Sequence, residues 1–320
     1  MFSRPVFSSP AVLVAALAVV ALAGGCSTPP ASRVASAPAA VVAVTPRPGA
    51  SVFVDDHDGP LPEDRAELRP HELIVRNALP VVAEQTWRLD HASLTPAERA
   101  AAHAARARAR ADLRQFDAAR ADLDLAITLA PAAAEWRRQR AWLLGALGRD
   151  TEALVDLAVA FRAEPQSTRT ARVLGLLRFE QGRFADAVAA LSFRLDSEPT
   201  DPPMRILHAI ARIRMGEAVG PDELHVIADS SRDLDPWPQA ITLFMAGRLQ
   251  RADLLASGRT DTADPAPARA CQAWFYLGQR SLLDGDLTRA ARDFRNAVRT
   301  GGTSAIEFRF TLAELARLKM

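Results

Sequence analysis

The stretch CQAWFYLGQRSLLDGDLTRAARDFRNA, residues 271–297, decides the fold. It reads as two helices joined by a tight turn. Gly278 and Ala290 are the small residues that let the two helices cross closely, and Leu277 and Phe294 fill the space between them. Gly285 permits the positive φ that the turn requires. Trp274 and Ala297 complete the spacing. A single match of this kind is moderate evidence, so the question is whether the chain repeats it.

It does, with a period of 34 residues. Pro131, Pro165 and Pro199 stand 34 apart, as do Ala119, Ala153 and Ala187, and Leu123, Leu157 and Leu191. Ala107, Ala141 and Gly175 follow the same step. Gly148 and Gly182 mark the turns; Phe184 follows its glycine by two, and Phe116 holds the matching place two repeats earlier. Each proline closes a second helix, because it lacks the amide that would continue the ladder and turns its predecessor away from helix. A 34-residue helix–turn–helix period is that of the tetratricopeptide repeat. The expectation is an all-α tetratricopeptide solenoid, with three tandem repeats over 95–199 and a final one over 271–302.

Composition bounds the rest. The chain has 320 residues, 49% hydrophobic and 24% charged, with a formal net charge of +1. That is ample for a core and exerts no bulk pull toward nucleic acid. Of 39 Lys+Arg, Lys319 is the only lysine, which leaves 38 arginines. With so much alanine, a GC-rich coding sequence accounts for the bias; an arginine surface selected for anions is the alternative.

The N-terminus addresses the compartment. Arg4 precedes an apolar run from Ala11 to Ala23, then Gly24, Gly25 and Cys26. A short cationic region, a brief apolar stretch and small residues before a cut describe a signal peptide over 1–25. Cysteine directly after Leu22-Ala23-Gly24-Gly25 resembles the lipobox of bacterial lipoproteins, in which Cys26 is acylated and becomes the mature N-terminus. Position −3 is Ala23 where leucine is commoner, and a plain secretory signal with an incidental cysteine is the alternative. Ser27 in place of aspartate points to outer-membrane sorting. The other cysteine, Cys271, then has no disulfide partner and is expected to pack as a small apolar residue at a helix start.

Residues 26–70 are rich in Pro, Ala, Ser and Val and read as a disordered tether, with a reach on the order of 140 Å when extended. Asp55-Asp56-His57-Asp58 is a solvated acidic patch rather than a metal site, since adjacent ligands without supporting partners hold metals poorly. Residues 71–94 form a docking segment with a helix after Pro80; Leu73, Ile74, Leu79, Val81, Val82 and Trp87 either shield the first repeat or mediate self-association. Thr95, Pro96 and Glu98 supply an N-cap, an N1 proline and an N3 glutamate, so the first repeat begins there. Over 200–270 the pattern decays into one surviving first helix, Pro203 to Met215, and an irregular helical spacer. A capping helix over 303–320 places Ala305, Phe308, Leu312 and Leu315 on its inner face and Glu307, Glu314 and Arg317 off it.

No catalytic constellation stands out: no phosphate loop, HExxH, GxSxG or CxxC. His103, His208 and His225 sit singly in helical patterns, and Arg/Asp pairs such as Arg108 with Asp112 read as i,i+4 surface pairs. Nothing calls for a cofactor or metal, and the chain is expected not to be an enzyme. Binding belongs to the concave face, lined in such solenoids by first-helix positions 2, 5, 9 and 12. Counting from Ala100, Ala134 and Thr168, these are Arg108; Glu135, Arg138 and Trp142; and Arg169, Arg172, Leu176 and Phe179. Guanidinium groups beside Trp142 and Phe179 suit an extended peptide bearing a carboxylate. The alternative is that the arginines merely solvate a helix face.

Three stretches make the chain similar to the NlpI family of tetratricopeptide lipoproteins. They are Leu94-Thr95 with Glu98-Arg99-Ala100 before the first repeat, the irregular segment around Asp235-Pro236-Trp237, and Phe275-Tyr276-Leu277-Gly278 with Gly285-Asp286-Leu287 and Ala297-Val298. The resemblance covers roughly 80–315; the longer proline-rich tether and arginine-rich helices depart from it. It implies an outer-membrane-anchored homodimer facing the periplasm, an adaptor that gathers peptidoglycan hydrolases with other cell-wall enzymes or delivers one to a processing protease. A pilotin-type lipoprotein that assists secretin assembly is the alternative, and an enzyme with an unfamiliar site is a third reading.

Overall fold

A computed structural model of the chain describes residues 70–199, 201–230, 236–258, 266–302 and 305–319. The expected signal peptide, Cys26 and the tether with Asp55–Asp58 lie outside the described residues. What is described is a helical solenoid without strands. Helix α1 spans Pro70–His91. The three tandem repeats are the pairs α2 (Pro96–Asp112) with α3 (Phe116–Leu129), α4 (Ala134–Ala146) with α5 (Asp150–Ala163), and α6 (Thr168–Glu180) with α7 (Phe184–Ser197). Helix α8 (Pro202–Arg214) leads to a spacer of α9 (Pro221–Ser230), α10 (Pro236–Met245) and α11 (Arg251–Ser257). The final repeat is α12 (Ala266–Leu283) with α13 (Leu287–Arg299), and α14 (Ile306–Arg317) follows it.

The period works through close helix crossings. Ala119, Ala153, Ala187 and Ala290 have no exposed surface, and Leu123, Leu157 and Leu191 are buried beside them. A Cβ on Gly278 would lie 2.5 Å from Cε1 of Phe294, and one on Gly175 would lie 2.7 Å from Cδ2 of Leu191. The turns of the second, third and final repeats use glycine at positive φ, 82° at Gly285. The first repeat lacks that glycine, and Arg114 takes the left-handed conformation instead, at φ 59°. At the start of α2 the capping box is complete: Thr95 accepts from the Glu98 amide, and the Thr95 amide donates to Oε2 of Glu98 at 2.8 Å.

Local surface pairs such as Arg280 with Asp284 are present as expected, but buried pairs between helices stand beside them. Asp122 and Asp156, both almost fully buried, are each gripped by an arginine from the other helix of their own repeat. Arg106 donates to both oxygens of Asp122 at 3.0 and 2.7 Å, and Arg140 does the same to Asp156 at 2.7 Å. The two pairs are one 34-residue repeat apart; in the third repeat the same positions hold Leu174 and Ala190. Burial raises the Asp122 carboxyl, but Arg106, His103 and Arg110 outweigh it and hold the group below its usual range. By contrast Arg108 is exposed, and burial raises the Asp112 carboxyl against the opposing pull of Arg108.

Two helix boundaries differ from expectation. α1 begins at Pro70 and runs through Pro80, whose exposed position lets water replace the amide that proline lacks. From Asn77 onward Ala78, Gln85 and Leu89 are buried, whereas Leu79 and Trp87 face outward, with Trp87 stacked on His91. α12 begins at Ala266, so Cys271 is inside the helix and not at its start. It is buried among Ala297, Ala305 and Trp274, and burial pushes its thiol up to about 12, which leaves it unreactive.

These crossings and turns set opposite expectations for two substitutions. Gly278→Ala drives a methyl group into Phe294 and is expected to cost about 1–3 kcal/mol. Arg114→Gly relieves a left-handed non-glycine residue and is expected to stabilise by about 1 kcal/mol. Thermal melts of the two variants beside the parent chain check both signs.

Candidate protein-binding face

The expected inner-face residues fall into two groups. Arg108, Arg169 and Arg172 are exposed. Glu135 and Arg138 bind each other at 2.8 Å, and Arg138, itself 5% exposed, also donates to Glu164 at 2.6 Å. Its charge is therefore committed within the chain rather than offered to a partner's carboxylate. Trp142, Leu176 and Phe179 form the second group, and they do not stand open. Leu176 and Phe179 are buried, and Trp142 is half-buried.

What covers them is α14. Phe310 inserts between Phe179 of the third repeat and Phe275 of the final repeat, with ring centroids 5.0 and 6.0 Å away. The Arg309 guanidinium lies 3.8 Å from the centre of the Trp142 ring and donates to the Trp142 carbonyl at 3.2 Å. Two further nitrogens of Arg309 donate to the two oxygens of Glu180, at 3.2 and 2.5 Å. Burial raises the Glu180 carboxyl, and Arg309 opposes the rise. Arg317 donates to the Glu180 carbonyl at 2.7 Å.

The helix that follows the final repeat thus also reaches back across the inner face; Ala305, Phe308 and Leu315 pack inward as expected, but the glutamates expected outside are buried too and Leu312 is not. Glu307, Phe310, Thr311 and Glu314 are buried, while Leu312 is 47% exposed. The reason is a matched polar seam with α12. Gln272 donates to Glu307 at 3.1 Å, and Gln279 donates to Glu314 at 3.1 Å. Tyr276 donates to Glu307 at 3.3 Å, and Trp237 donates to Gln272 at 2.8 Å. Glu314 also receives Arg214 at 2.9 Å and Arg317 at 3.1 Å. A count of apolar positions overlooks this seam. The available signal was the spacing: Glu307 and Glu314 are seven apart, and so are Gln272 and Gln279.

Two of the three singled-out histidines are satisfied within the chain. His103 lies 3.0 Å from Asp122, and His208, its pKa lowered by burial, lies 2.9 Å from Ser192. The His225 side chain is outside the described residues. Among the described residues no group of three His, Cys, Asp or Glu side chains could hold a metal ion, and no helix is long and apolar enough to cross a membrane.

Comparison with known proteins adds the following. No protein-family model matches the chain, and no curated protein matches it. Among solved structures, it is similar to a tetratricopeptide repeat protein from Parabacteroides merdae, at 18% identity and a TM-score of 0.46 over 76% of this chain and 98% of that one. It is also similar to the tetratricopeptide domain of P58(IPK), at 15% identity and a TM-score of 0.22 over 78% and 98% of the two chains. The chain's own 34-residue helix pairs make it a tetratricopeptide-type solenoid, an architecture that presents extended concave surfaces to other proteins.

The two buried glutamates of α14 titrate in opposite directions. Burial raises Glu307 above its ordinary 4.5, against the pull of its hydrogen bonds, so its stabilising share is complete below 4.5 and declines as pH rises toward the folded value. Burial also raises Glu314, but Arg214, Arg317 and Gln279 outweigh it and lower the group, so its share is present above 4.5 and is lost in acid. Glu307→Gln is therefore expected to raise the melting temperature increasingly as pH climbs above 4.5, and Glu314→Gln to lower it there. A series of melts across pH checks both slopes.

Proposed function

We propose that this chain is a membrane-tethered adaptor. Acylated at Cys26 and sorted to the periplasmic face of an outer membrane, it uses the inner face of its solenoid to collect cell-wall enzymes. Peptidoglycan hydrolases come first among these, and the adaptor passes one of them to a processing protease. The observation that carries the binding half of the reading is the third repeat. Arg169 and Arg172 stand exposed at first-helix positions 2 and 5 of the inner face, whereas their counterparts one repeat earlier, Glu135 and Arg138, are bound to each other. Two exposed guanidinium groups on a rigid helix, with only the exposed Glu198 and the half-buried Glu135 near them among the described residues, suit an acidic segment of a partner.

The anchoring half rests on the cationic start, the apolar run from Ala11 to Ala23 and the small residues before Cys26. An acyl anchor confines the solenoid to one membrane face, so two proteins bound to it meet at high effective concentration without contacting each other. One acyl chain holds only marginally, and a lipoprotein cysteine supplies several.

Crosslinking the full-length protein in its own envelope and identifying what it carries tests the reading. Hydrolases or a processing protease among the captured proteins uphold it, a secretin moves the chain to the pilotin class, and peptidoglycan turnover by the pure protein would reinstate an enzyme. Cys26→Ser is expected to release the protein from the membrane fraction. Arg169→Glu with Arg172→Glu is expected to weaken capture about ten-fold while leaving the melt unchanged.

A further inference from the structure

Helix α14 occupies the place in the groove where a tetratricopeptide solenoid takes its ligand. Trp142, Leu176 and Phe179 sit at first-helix positions 9 and 12, which face the concave side, and all three lie in the core that α14 joins through Phe310. The seat has two parts. The Trp142 ring and the Glu180 carboxylate hold one guanidinium, and the rings of Phe179 and Phe275 hold one aromatic side chain. Arg309 and Phe310 fill them from adjacent positions of a single helix.

The contact combines apolar packing with buried charge. α14 buries two glutamates and makes a partly buried ion pair, and desolvation offsets part of the attraction in each. It leaves Leu312 exposed, buries Phe310 completely, and packs Ile306, Leu315 and Leu318 partly buried against the core. The helices of the repeats are likewise joined by apolar packing together with buried arginine–aspartate pairs, Arg106 with Asp122 and Arg140 with Asp156.

We propose that α14 is a built-in ligand of the inner groove, and that the groove's partner is a helical segment carrying an arginine next to an aromatic residue. Such a segment takes the Trp142–Glu180 seat and the Phe179 pocket as α14 leaves them. The inference deepens the adaptor reading, since it names the segment that this protein-binding face accepts.

The probe is a fluorescent peptide with the chain's own sequence from Ala305 to Lys319, titrated against the full-length protein. Arg309→Ala with Arg317→Ala weakens the tethered helix and leaves the seat intact, so this variant is expected to bind the probe about ten-fold more tightly than the parent. Adding Trp142→Ala is expected to abolish the gain, as is a probe whose own Arg309 is replaced by alanine. Equal binding by the parent and the folded double variant overturns the proposal.

Should the double variant fail to fold, hydrogen exchange on the unaltered chain decides. Saturating probe is expected to speed exchange over 306–317 and leave α12 and α13 unchanged; unchanged or slower exchange over 306–317 overturns the proposal. Capture of cell-wall enzymes in the envelope experiment is independent of both results. A failed peptide test with successful capture removes the tethered ligand alone, and the converse removes the cell-wall role alone.

Discussion

The closed form of the solenoid depends on how Glu314 is met. A carboxylate 1% exposed is tolerated only when donors surround it, and the donors here come from α8 (Arg214), α12 (Gln279) and α14 itself (Arg317). Those bonds fix the rotation of α14, and the rotation puts Phe310 between Phe179 and Phe275. The third repeat, α8 and the final repeat thereby share one continuous core, although an irregular spacer separates them in sequence. Had α14 turned Leu312 inward in place of its glutamates, both glutamates would point to water and Arg309 would miss Glu180.

The same rule, a buried carboxylate answered by a bidentate arginine, runs through the earlier repeats. Arg106 with Asp122, Arg140 with Asp156 and, between the spacer helix α11 and the final repeat, Arg251 with Asp293 each tie two helices together. Arginine suits the task because its planar fork meets both carboxylate oxygens at once and stays charged when partly buried. So many internal pairs also explain how an arginine-rich chain ends at a net charge of +1. A substantial part of the arginine content is therefore structural, and the exposed Arg108, Arg169 and Arg172 stand apart from it.

How much of this was legible follows from where each contact lies in the sequence. The alanine, leucine and glycine ladder repeats because each repeat solves the same local crossing, so a period of 34 exposes it. The capping box at Thr95 and the positive φ at Gly285 are likewise local, and both were readable. The contacts of α14 are not: Arg309 meets Trp142 and Glu180, 167 and 129 residues away, with no period to betray them. An apolar count placed Leu312 inside because it ignored the possibility of a polar seam. Phe179 and Leu176 were expected to stand open on the inner face and are instead buried, since the repeat pattern gives no sign of what lies upon them. The Arg106–Asp122 and Arg140–Asp156 pairs were visible as a 16-residue spacing repeated at 34, yet the i,i+4 rule for surface helices drew attention to nearer neighbours.

A ligand carried in the same chain changes what a partner must offer. A tethered segment competes at an effective concentration on the order of millimolar, so a free helix with only an arginine and an aromatic ring displaces it poorly. A partner that also holds Arg169 and Arg172 has a foothold that α14 does not cover. It first docks there through charge, which acts at long range and speeds encounter, and its helix then competes for the Trp142 seat from within the complex. Both competitors are then intramolecular, and the outcome turns on the quality of the two helices rather than on concentration. Selectivity would come from the need to satisfy both points, an acidic segment for the open arginines and a basic–aromatic helix for the covered groove.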